Sequence, residues 1–358
     1  MIKIKHISQG IGGELVVIEK IIKYMNKQKI SSEIISFTKN KNHRSIIFEK
    51  FFDEEIITLK KLGILKDYTK DSEIIFYHYI FNFSSLIFLL YLKIFCNKKI
   101  ICVFHNNIDS FNINILKELY YLIRKITIIN LSIFYADKLI FITETSKKGF
   151  LKFCIMYKKI NKNSYVINNA IEKSIILKKS NIKYNTMNIL FVGRLSKYKG
   201  FIDFISLVKN SKEDLKFRII GEGKLKNIIP SSKNLEYLGF IKNEDIFKYY
   251  DKSNILILPS YNETFGLVIL EAMARGLVVL ASDLPAIREY FVEGRNGYLF
   301  PPGDVEKMKE LILYLKNNPK EIERISKNNL RDISKFTAEK QASKYIKVYE
   351  EVLKENEK

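Results

Sequence analysis

Residues 259–280 read PSYNETFGLVILEAMARGLVVL, and this stretch decides the fold. It follows the apolar run Ile255–Leu258 and ends in a second apolar run, Val278–Leu280. Two short buried strands joined by a helix are typical of a parallel α/β sheet. The part between them, about Thr264–Gly276, is apolar nearly all the way round at about 100° per residue, which predicts a buried helix.

Two carboxylates, Glu263 and Glu271, stand in this stretch with seven residues between them. A carboxylate on a buried helix needs a partner. On spacing alone the favoured partner of Glu271 is Arg275, because an i,i+4 Glu–Arg pair is favourable in this order. The alternative is that Glu271 accepts hydrogen bonds from a vicinal diol, such as a nucleotide ribose. Glu263 would lie at the carboxyl end of a strand, where open α/β sheets bind ligands.

The start of the same helix is a candidate anion site, because its first N–H groups are free and the helix dipole favours negative charge there. The residues expected to present those groups are Phe265, Gly266, Leu267 and Val268.

The pattern Glu263-x7-Glu271, set within ETFGLVILEAMARG, resembles the signature of glycosyltransferase family 4. The spacing, the Phe-Gly pair and the Glu-Ala-Met-Ala-x-Gly tail all match. The resemblance is strong from Val192 to Pro302 and weak before Asn169. It implies an α/β protein of GT-B fold, with two Rossmann-like domains facing a central cleft and a C-terminal helix crossing back to the first domain.

The expected organisation has three parts. Residues 1–175 form an acceptor-side domain, residues 186–337 a nucleotide-sugar-binding domain, and residues 338–358 a helix that packs back on the first domain. The length of 358 residues suits two domains, and an apolar content of 47% is ample for two cores.

The net charge is +21, and residues 1–175, with 28 basic and 15 acidic side chains, are the more basic half. A basic surface attracts nucleic acid, anionic membranes or anionic substrates. The sequence has no zinc finger, RRM-like aromatic motif or basic helical arm. A membrane surface or a phosphorylated substrate is therefore favoured over nucleic acid, and unspecific solvated charge is the alternative. The stretch Asn112–Tyr135 could lie on an anionic bilayer or be a core helix with a basic outer face.

Three cysteines at no metal-ligand spacing indicate reduced thiols of a cytoplasmic protein. The longest apolar run, Leu86–Cys96, is interrupted by Lys93 and is shorter than the roughly 20 residues that span a bilayer. The protein is expected in the cytoplasm, touching the inner face of the cytoplasmic membrane at most.

The N-terminal sequence predicts a strand, Ile2–Ile7, a glycine loop and a helix, about Leu15–Lys29. The loop lacks the third glycine of the dinucleotide fingerprint. A tight turn explains it, but the resemblance implies that Gly12 and Gly13 lie near the donor phosphate and the acceptor.

Three histidines, His6, His78 and His105, stand at the predicted carboxyl ends of strands. A three-histidine metal site would require the strand order to bring them together, and hydrogen-bonded structural histidines are favoured. The resemblance carries over His105 as a residue near the donor sugar. The Asn-Asn pair after it departs from the acidic residue usual in the family.

A second strand–loop–helix unit begins at about Asn188, and its loop contains Arg194 and Lys199. Guanidinium binds phosphate as a fork and ammonium as a point charge. The alternative is two solvated basic residues. The match to the family's Gly-Arg-Leu-x4-Lys-Gly pattern implies that both bind the leaving diphosphate. By the same resemblance, backbone groups of Phe240 and Ile241 contact the base.

The resemblance implies transfer of a sugar, with retention, from a nucleoside diphosphate sugar. The basic, aromatic-rich first half of the chain favours a glycan or lipid-linked acceptor. A UDP-sugar and capsule or lipopolysaccharide assembly are favoured. Glu271 would hold the ribose and Glu263 a sugar hydroxyl, with Arg194, Lys199 and His105 as further catalytic residues. The resemblance implies that no cofactor and no metal are needed, and the sequence agrees, since it has no Asp-x-Asp. The alternatives are a nucleotide-sugar epimerase, a non-catalytic sugar-nucleotide or membrane-binding protein, and a basic nucleic-acid binder.

Overall fold

The protein is described by a computed structural model, and its chain divides into two compact units, residues 1–170 with 338–358 and residues 171–337. The described residues are 3–8, 13–27, 31–36, 46–47, 66–72, 74–79, 83–105, 126–155, 157–177, 187–211 and 214–356.

The N-terminal unit contains a parallel sheet with the order β3-β2-β1-β4-β5-β6-β7. Its strands are Lys3–Ser8 (β1), Ser31–Ser36 (β2), Ile46–Ile47 (β3), Ile74–Tyr79 (β4), Lys99–Phe104 (β5), Lys138–Phe141 (β6) and Ser164–Val166 (β7). The helices described in this unit include Gly13–Lys27, residues 66–69, Phe83–Ile94, residues 126–135, Glu144–Leu151 and Tyr157–Asn163. Consecutive residues of β4 are fully buried because helices cover both faces of such a sheet.

The C-terminal unit contains a second parallel sheet with the order β10-β9-β8-β11-β12-β13. Its strands are Met187–Val192 (β8), Leu215–Ile220 (β9), Leu235–Tyr237 (β10), Ile255–Leu258 (β11), Val278–Ser282 (β12) and Gly297–Phe300 (β13). The helices are Phe201–Lys209, Asn243–Tyr250, Leu267–Ala274, Pro285–Arg288, Val305–Asn317 and Pro319–Asp332. The prediction of two parallel Rossmann-like sheets is confirmed.

Each sheet has one point at which the strand order reverses. In the N-terminal sheet it lies between β1 and β4, and in the C-terminal sheet between β8 and β11. Loops on either side of such a point diverge, and open α/β proteins bind ligands in the crevice there, at the carboxyl ends of the strands.

The last helix, Ala338–Asn356, belongs to the N-terminal unit, so its predicted return to the first domain is confirmed. It contacts the helix Gly13–Lys27. Tyr345 and Tyr349, four residues apart and buried, pack against Phe76 of β4. A repeat of three to four residues puts such side chains on one helical stripe. We call this element the return helix.

The helix that the sequence places at about residues 264–276 is shorter, Leu267–Ala274, so its predicted start is wrong. Gly266 has a φ of 84° and Gly276 a φ of 76°. This left-handed conformation cannot continue a right-handed helix and favours glycine. Phe265 and Gly266 therefore precede the helix, and only Leu267 and Val268 of the four expected donors lie in its first turn.

Other predictions fall outside the described residues. They include Gly12, its loop and the part of the predicted basic helix before residue 126, whereas Gly13 is the first residue of the helix Gly13–Lys27. Within the described ranges, no helix combines the length and apolar character that crossing a bilayer requires.

Candidate functional site

The loops that follow β8, β9 and β10 pack on one another at the carboxyl edge of the C-terminal sheet. The N–H of Gly193 donates to the carbonyl of Ile220 at 3.0 Å, and the N–H of Gly221 donates to the carbonyl of Gly239 at 2.8 Å. A Cβ on Gly221 would lie 1.9 Å from the carbonyl oxygen of Gly193. Only a residue without a side chain permits this approach, so the glycines fix the spacing of the loops.

The loop after β8 is also held against the loop after β11, across the point where the strand order reverses. A Cβ on Gly200 would lie 1.8 Å from the carbonyl oxygen of Pro259, and Gly200 has a φ of 63°. The N–H of Tyr261 donates to the carbonyl of Tyr198 at 2.9 Å. The loop that carries Arg194 and Lys199 therefore has a fixed position beside the loop that carries Glu263.

Lys199 and Glu263 form an ion pair at this junction. Nζ of Lys199 lies 2.5 Å from Oε1 of Glu263, and the hydroxyl of Ser260 donates to the same oxygen at 2.9 Å. Glu263 is only 8% exposed, whereas the Lys199 side chain is one-third exposed. A buried carboxylate requires such compensation. The pair holds an ammonium group at the surface of the edge.

Arg194 differs from Lys199 because it is exposed and has no hydrogen-bond or ion-pair partner among the described residues. Its guanidinium keeps five N–H donors available. The edge therefore offers an unpaired guanidinium group beside an ammonium group that is paired.

Glu271 does not pair with Arg275, so the interpretation favoured by spacing alone is wrong. Nε of Arg275 donates to Asp251 at 2.6 Å, and its Nη1 donates to the carbonyl of Ile175 at 2.9 Å. Glu271 is half-buried and accepts a hydrogen bond from the hydroxyl of Tyr250 at 2.8 Å. Burial, reinforced by the Glu271 carboxylate, raises the pKa of Tyr250 well above its ordinary value, so the hydroxyl stays a donor.

Phe265 is buried and belongs to the packing under the loop. Its ring stacks on Tyr290 with centroids 4.5 Å apart, and the Tyr290 hydroxyl donates to the Phe265 carbonyl. Burial raises the pKa of Tyr290 well above its ordinary value, and Glu263 and Glu289 raise it further. A Cβ on Gly266 would lie 3.3 Å from the Tyr290 hydroxyl oxygen. Tyr290 therefore fixes the turn that joins Glu263 to the helix.

Phe240 and Ile241 follow Gly239 in the loop after β10, on the same edge. Phe240 is 69% exposed and Ile241 is half-buried. An exposed aromatic ring at this edge is compatible with base contact, and that role stays a prediction.

The three histidines of the N-terminal unit do lie together, but in a row. Nδ1 of His6 is 3.1 Å from Nε2 of His78, and Nδ1 of His78 is 2.9 Å from Nε2 of His105. These are hydrogen-bond distances, and they use both nitrogens of the middle ring. No cluster of three or more metal-ligating side chains occurs in the part of the chain that the structure describes. The arrangement agrees with the favoured interpretation as hydrogen-bonded histidines.

Several partners were not predicted from the sequence. Tyr250 is 21 residues from Glu271 and ends a different helix, so no local pattern links them. Tyr290 likewise lies 25 residues from Phe265. Ser260 lies only three residues before Glu263, but the capping-box pattern Ser-x-x-Glu predicts bonds from side chains to backbone groups and not the observed bond between the two side chains.

A sequence profile of the family described as glycosyl transferases group 1 matches residues 172–332. The chain is 30% identical to an uncharacterized glycosyltransferase of Methanocaldococcus jannaschii over 54% of its own length and 55% of the relative's. It is 29% identical to an uncharacterized 41.2 kDa protein in the cps region of Klebsiella pneumoniae, over 55% of this chain and 58% of that protein. The matched part of the chain contains Arg194, Lys199, Glu263 and Glu271.

The chain spans a little over half the length of the curated relatives it matches. The likeness of fold extends further. The crystal structure of Anabaena HepE in complex with UDP and glucose aligns with a TM-score of 0.74, at 14% identity, over 97% of this chain and 100% of that one. The two parallel sheets and the return helix are those of the GT-B fold.

Proposed function

We propose that the chain is a retaining glycosyltransferase that moves a sugar from a nucleoside diphosphate sugar, most favourably a UDP-sugar, to a glycan or lipid-linked acceptor. The family match over residues 172–332 carries this proposal, because it covers the unit that contains Arg194, Lys199, Glu263 and Glu271. The relative of similar fold that was solved with UDP and glucose supports the choice of donor.

Arg194 and Lys199 would bind the diphosphate. Arg194 has free donors, and Lys199 has three N–H donors, of which one reaches Glu263. Both stand beside the point of strand reversal, where this class of sheet binds ligands. As the sugar leaves, negative charge grows on the diphosphate, and donors already held in place stabilise it without reorganisation.

Glu271 would accept from the ribose hydroxyls and Glu263 from a sugar hydroxyl near the reacting carbon. The hydrogen bond from Tyr250 occupies Oε2 of Glu271 and orients the carboxylate. A carboxylate has about four lone-pair sites, so a vicinal diol could still be accepted. Glu263 is oriented by Ser260 and Lys199 in the same way.

The bond-making step is proposed as front-face attack by the acceptor hydroxyl, with the leaving phosphate taking its proton. In this step the C–O bond to the diphosphate breaks, the acceptor oxygen bonds to the same carbon, and the acceptor proton passes to the phosphate. No step requires a metal.

The acceptor is proposed to belong to bacterial surface polysaccharide assembly, such as capsule or lipopolysaccharide, in the cytoplasm at the membrane surface. The Klebsiella relative from the cps region supports this pathway. Peripheral contact with an anionic membrane is supported by exposed Phe95, Phe134 and Ile155 in the basic N-terminal unit. Nζ of Lys159 lies 5.8 Å from the centroid of the Phe134 ring. Apolar side chains beside lysines suit an anionic bilayer surface.

The proposal is tested by melting the purified protein with UDP-, GDP- and ADP-sugars, with and without EDTA. A ligand that binds only the folded state raises the melting temperature, and one at about 100 times its Kd adds about 2.7 kcal/mol. We expect a shift with one nucleotide family, unaffected by EDTA and lost in Glu271→Ala. Glu310→Ala, which removes an exposed carboxylate of the same unit, is the control and should keep the shift.

Release of the free nucleoside diphosphate separates transfer from the alternatives. We expect release that depends on an added lipid-linked glycan. Conversion of the donor without any acceptor would instead identify an epimerase. Binding with neither reaction, across a panel of acceptors, would identify a non-catalytic protein.

A further inference from the structure

The three buried histidines form a continuous chain across the N-terminal sheet. His6 lies in β1, His78 in β4 and His105 directly after β5, and these strands are neighbours. His6 is in register with Phe76, and His78 is in register with Val103. His78 therefore lies one strand away from His6 and two residues nearer the carboxyl edge, and His105 has the same offset from His78. An even offset keeps all three side chains on one face, and diagonal neighbours are within reach of each other.

The row of three histidines has one end enclosed by the protein and one end at the sheet edge. Both nitrogens of His78 are used by its neighbours, which leaves Nε2 of His6 and Nδ1 of His105 as the two ends. Nε2 of His6 is buried and has no hydrogen-bond partner within the described ranges. His105, the most exposed of the three at 8%, is the ring that meets the edge.

The closed end is packed by aromatic rings. His6 stacks on Phe76 with centroids 5.0 Å apart and the planes at 10°. Phe76 in turn contacts Tyr345 and Tyr349 of the return helix, with centroids 5.5 and 6.5 Å away. A proton relay needs an exchange partner at both ends, and the described residues supply none at Nε2 of His6. The row of histidines is therefore suited to holding protons in place and not to transferring them from one end to the other.

Burial keeps the three rings neutral. It lowers the pKa of His6 to about 3 and that of His105 to about 4. It also lowers the pKa of His78, where the other two rings disfavour a further positive charge. A neutral imidazole has one donor and one acceptor nitrogen. Three hydrogen-bonded neutral rings therefore have two orders: every N–H lies on Nδ1, or every N–H lies on Nε2.

The two orders differ at the closed end. With every N–H on Nε2, His6 would bury a donor that has no acceptor. With every N–H on Nδ1, the unpartnered atom is a bare nitrogen. Among backbone groups, orphaned buried N–H donors are rarer than under-satisfied acceptors, and we apply the same preference to the imidazole nitrogens. The order with every N–H on Nδ1 therefore fits the structure better, and it leaves an N–H on Nδ1 of His105.

We infer that His6 and His78 are positioning residues that hold His105 in one neutral tautomer, with its N–H on Nδ1 at the carboxyl edge of the N-terminal sheet. What this N–H meets rests on the proposed function. A neutral fixed donor suits a sugar hydroxyl oxygen, whereas a phosphate is bound more strongly by a cation.

The tautomer is measured directly by nitrogen NMR of the full chain labelled with ¹⁵N-histidine, between about pH 5 and 8. The sequence has only four histidines, and His43→Gln identifies the signals of the fourth. We expect three rings that stay neutral throughout, each protonated on Nδ1. Protonation on Nε2, a mixture of tautomers, or titration of His105 near its ordinary pKa would each overturn the inference.

The variant His78→Phe keeps an aromatic ring and removes both hydrogen bonds. We expect His105 to lose its single tautomer and kcat/KM for sugar transfer to fall about tenfold. Ile101→Val is the matched control, because it alters the same buried face in β5, four residues before His105, without removing a ring that stacks on a histidine. It should leave the His105 spectrum unchanged. A His105 spectrum that is the same in His78→Phe as in the wild type would overturn the inference, and if that variant does not fold, the wild-type spectrum decides.

Activity separates this inference from the proposed function. If the spectra are as expected but His105→Ala transfers sugar at the full rate, the role of the chain in transfer is overturned while the transferase stands. If the wild-type protein transfers no sugar with any donor, the proposed function fails, and the spectra still decide whether the histidines fix the tautomer.

Discussion

The two sheets present different chemistry at their carboxyl edges. The C-terminal edge carries charged side chains on loops that glycines lock together, as at Lys199 and Glu263. The N-terminal edge carries neutral imidazoles within strands and directly after one, as at His78 and His105. On the loops the cations of Arg194 and Lys199 stay accessible, whereas a ring inside a strand is buried and depends on the neighbouring strand. Function and stability should therefore separate at the first edge and be coupled at the second.

Acid should reveal the largest difference. All four histidines precede residue 106, so residues 171–337 contain none. Folded His6 and His105 have pKa values of about 3 and about 4, below the ordinary 6.5, so the unfolded chain binds the extra protons. The contribution of these neutral histidines to the free energy of unfolding is fully present above pH 6.5 and is lost as the pH falls below that value. Each extra proton that the unfolded chain binds changes the free energy of unfolding by about 1.4 kcal/mol per pH unit. Three protons therefore change it by about 4 kcal/mol per pH unit near pH 5.

Hydrogen exchange at pH 7, 6 and 5, corrected for intrinsic rates, checks this for each unit. We expect β4 and β5 to lose protection while β8 and β11 keep theirs. In the C-terminal unit, the hydrogen bond from Arg295 lowers the pKa of Asp332 to about 2, and this contribution is lost only as the pH falls below about 4. Equal loss of protection in the two units would contradict the comparison.

Arg194→Ala should separate function from stability most clearly. The side chain is exposed and has no partner among the described residues, so the free energy of unfolding should change by less than about 0.5 kcal/mol. If it binds the leaving diphosphate, kcat/KM should fall about 100- to 1000-fold.

Lys197→Ala is the control for Arg194→Ala. It removes an exposed cation of the same loop and should reduce kcat/KM far less. Steady-state kinetics and urea unfolding of both variants provide the comparison. Full activity in Arg194→Ala would remove this residue from the site.

Gly200→Ala should show that the C-terminal loops depend on close backbone contact. The new Cβ would lie 1.8 Å from the Pro259 carbonyl oxygen in a left-handed conformation, so we expect a loss of about 3 kcal/mol. Gly294→Ala is the matched control, because Gly294 also has a positive φ, 71°, but no atom within 4 Å of the new Cβ. Its expected cost is about 1 kcal/mol. Equal losses in urea unfolding would show that the close contact has no energetic weight.

Tyr250→Phe should have the smallest effect. It removes the hydrogen bond to Glu271 and should raise KM for the donor about tenfold, or about 1.4 kcal/mol. Tyr298→Phe removes the same kind of bond, from a tyrosine hydroxyl to Glu321 at 2.6 Å, elsewhere in the unit. The free energy of unfolding should fall by a similar amount in both variants, whereas KM for the donor should change only in Tyr250→Phe. A change of KM in both would indicate a general loss of stability.

The sequence by itself determined the features that lie within one strand–loop–helix unit. The strand Ile255–Leu258 has the bounds of its apolar run. The resemblance to the family follows from the residues around Glu263 and Glu271, and the loop position of Arg194 and Lys199 follows from their place after an apolar strand. These features are local, because hydrophobic periodicity and loop position act over a few residues.

Only the tertiary structure decided which side chains meet. Glu271 bonds to Tyr250 instead of Arg275, because Asp251 takes the arginine and the helix is shorter than its apolar pattern suggests. His6 and His78 meet across 72 residues because β1 and β4 are neighbours, and strand order is not written in any local pattern. A residue's neighbours along the chain are set by covalent geometry, whereas its neighbours across a sheet are set by how whole elements bury their apolar faces.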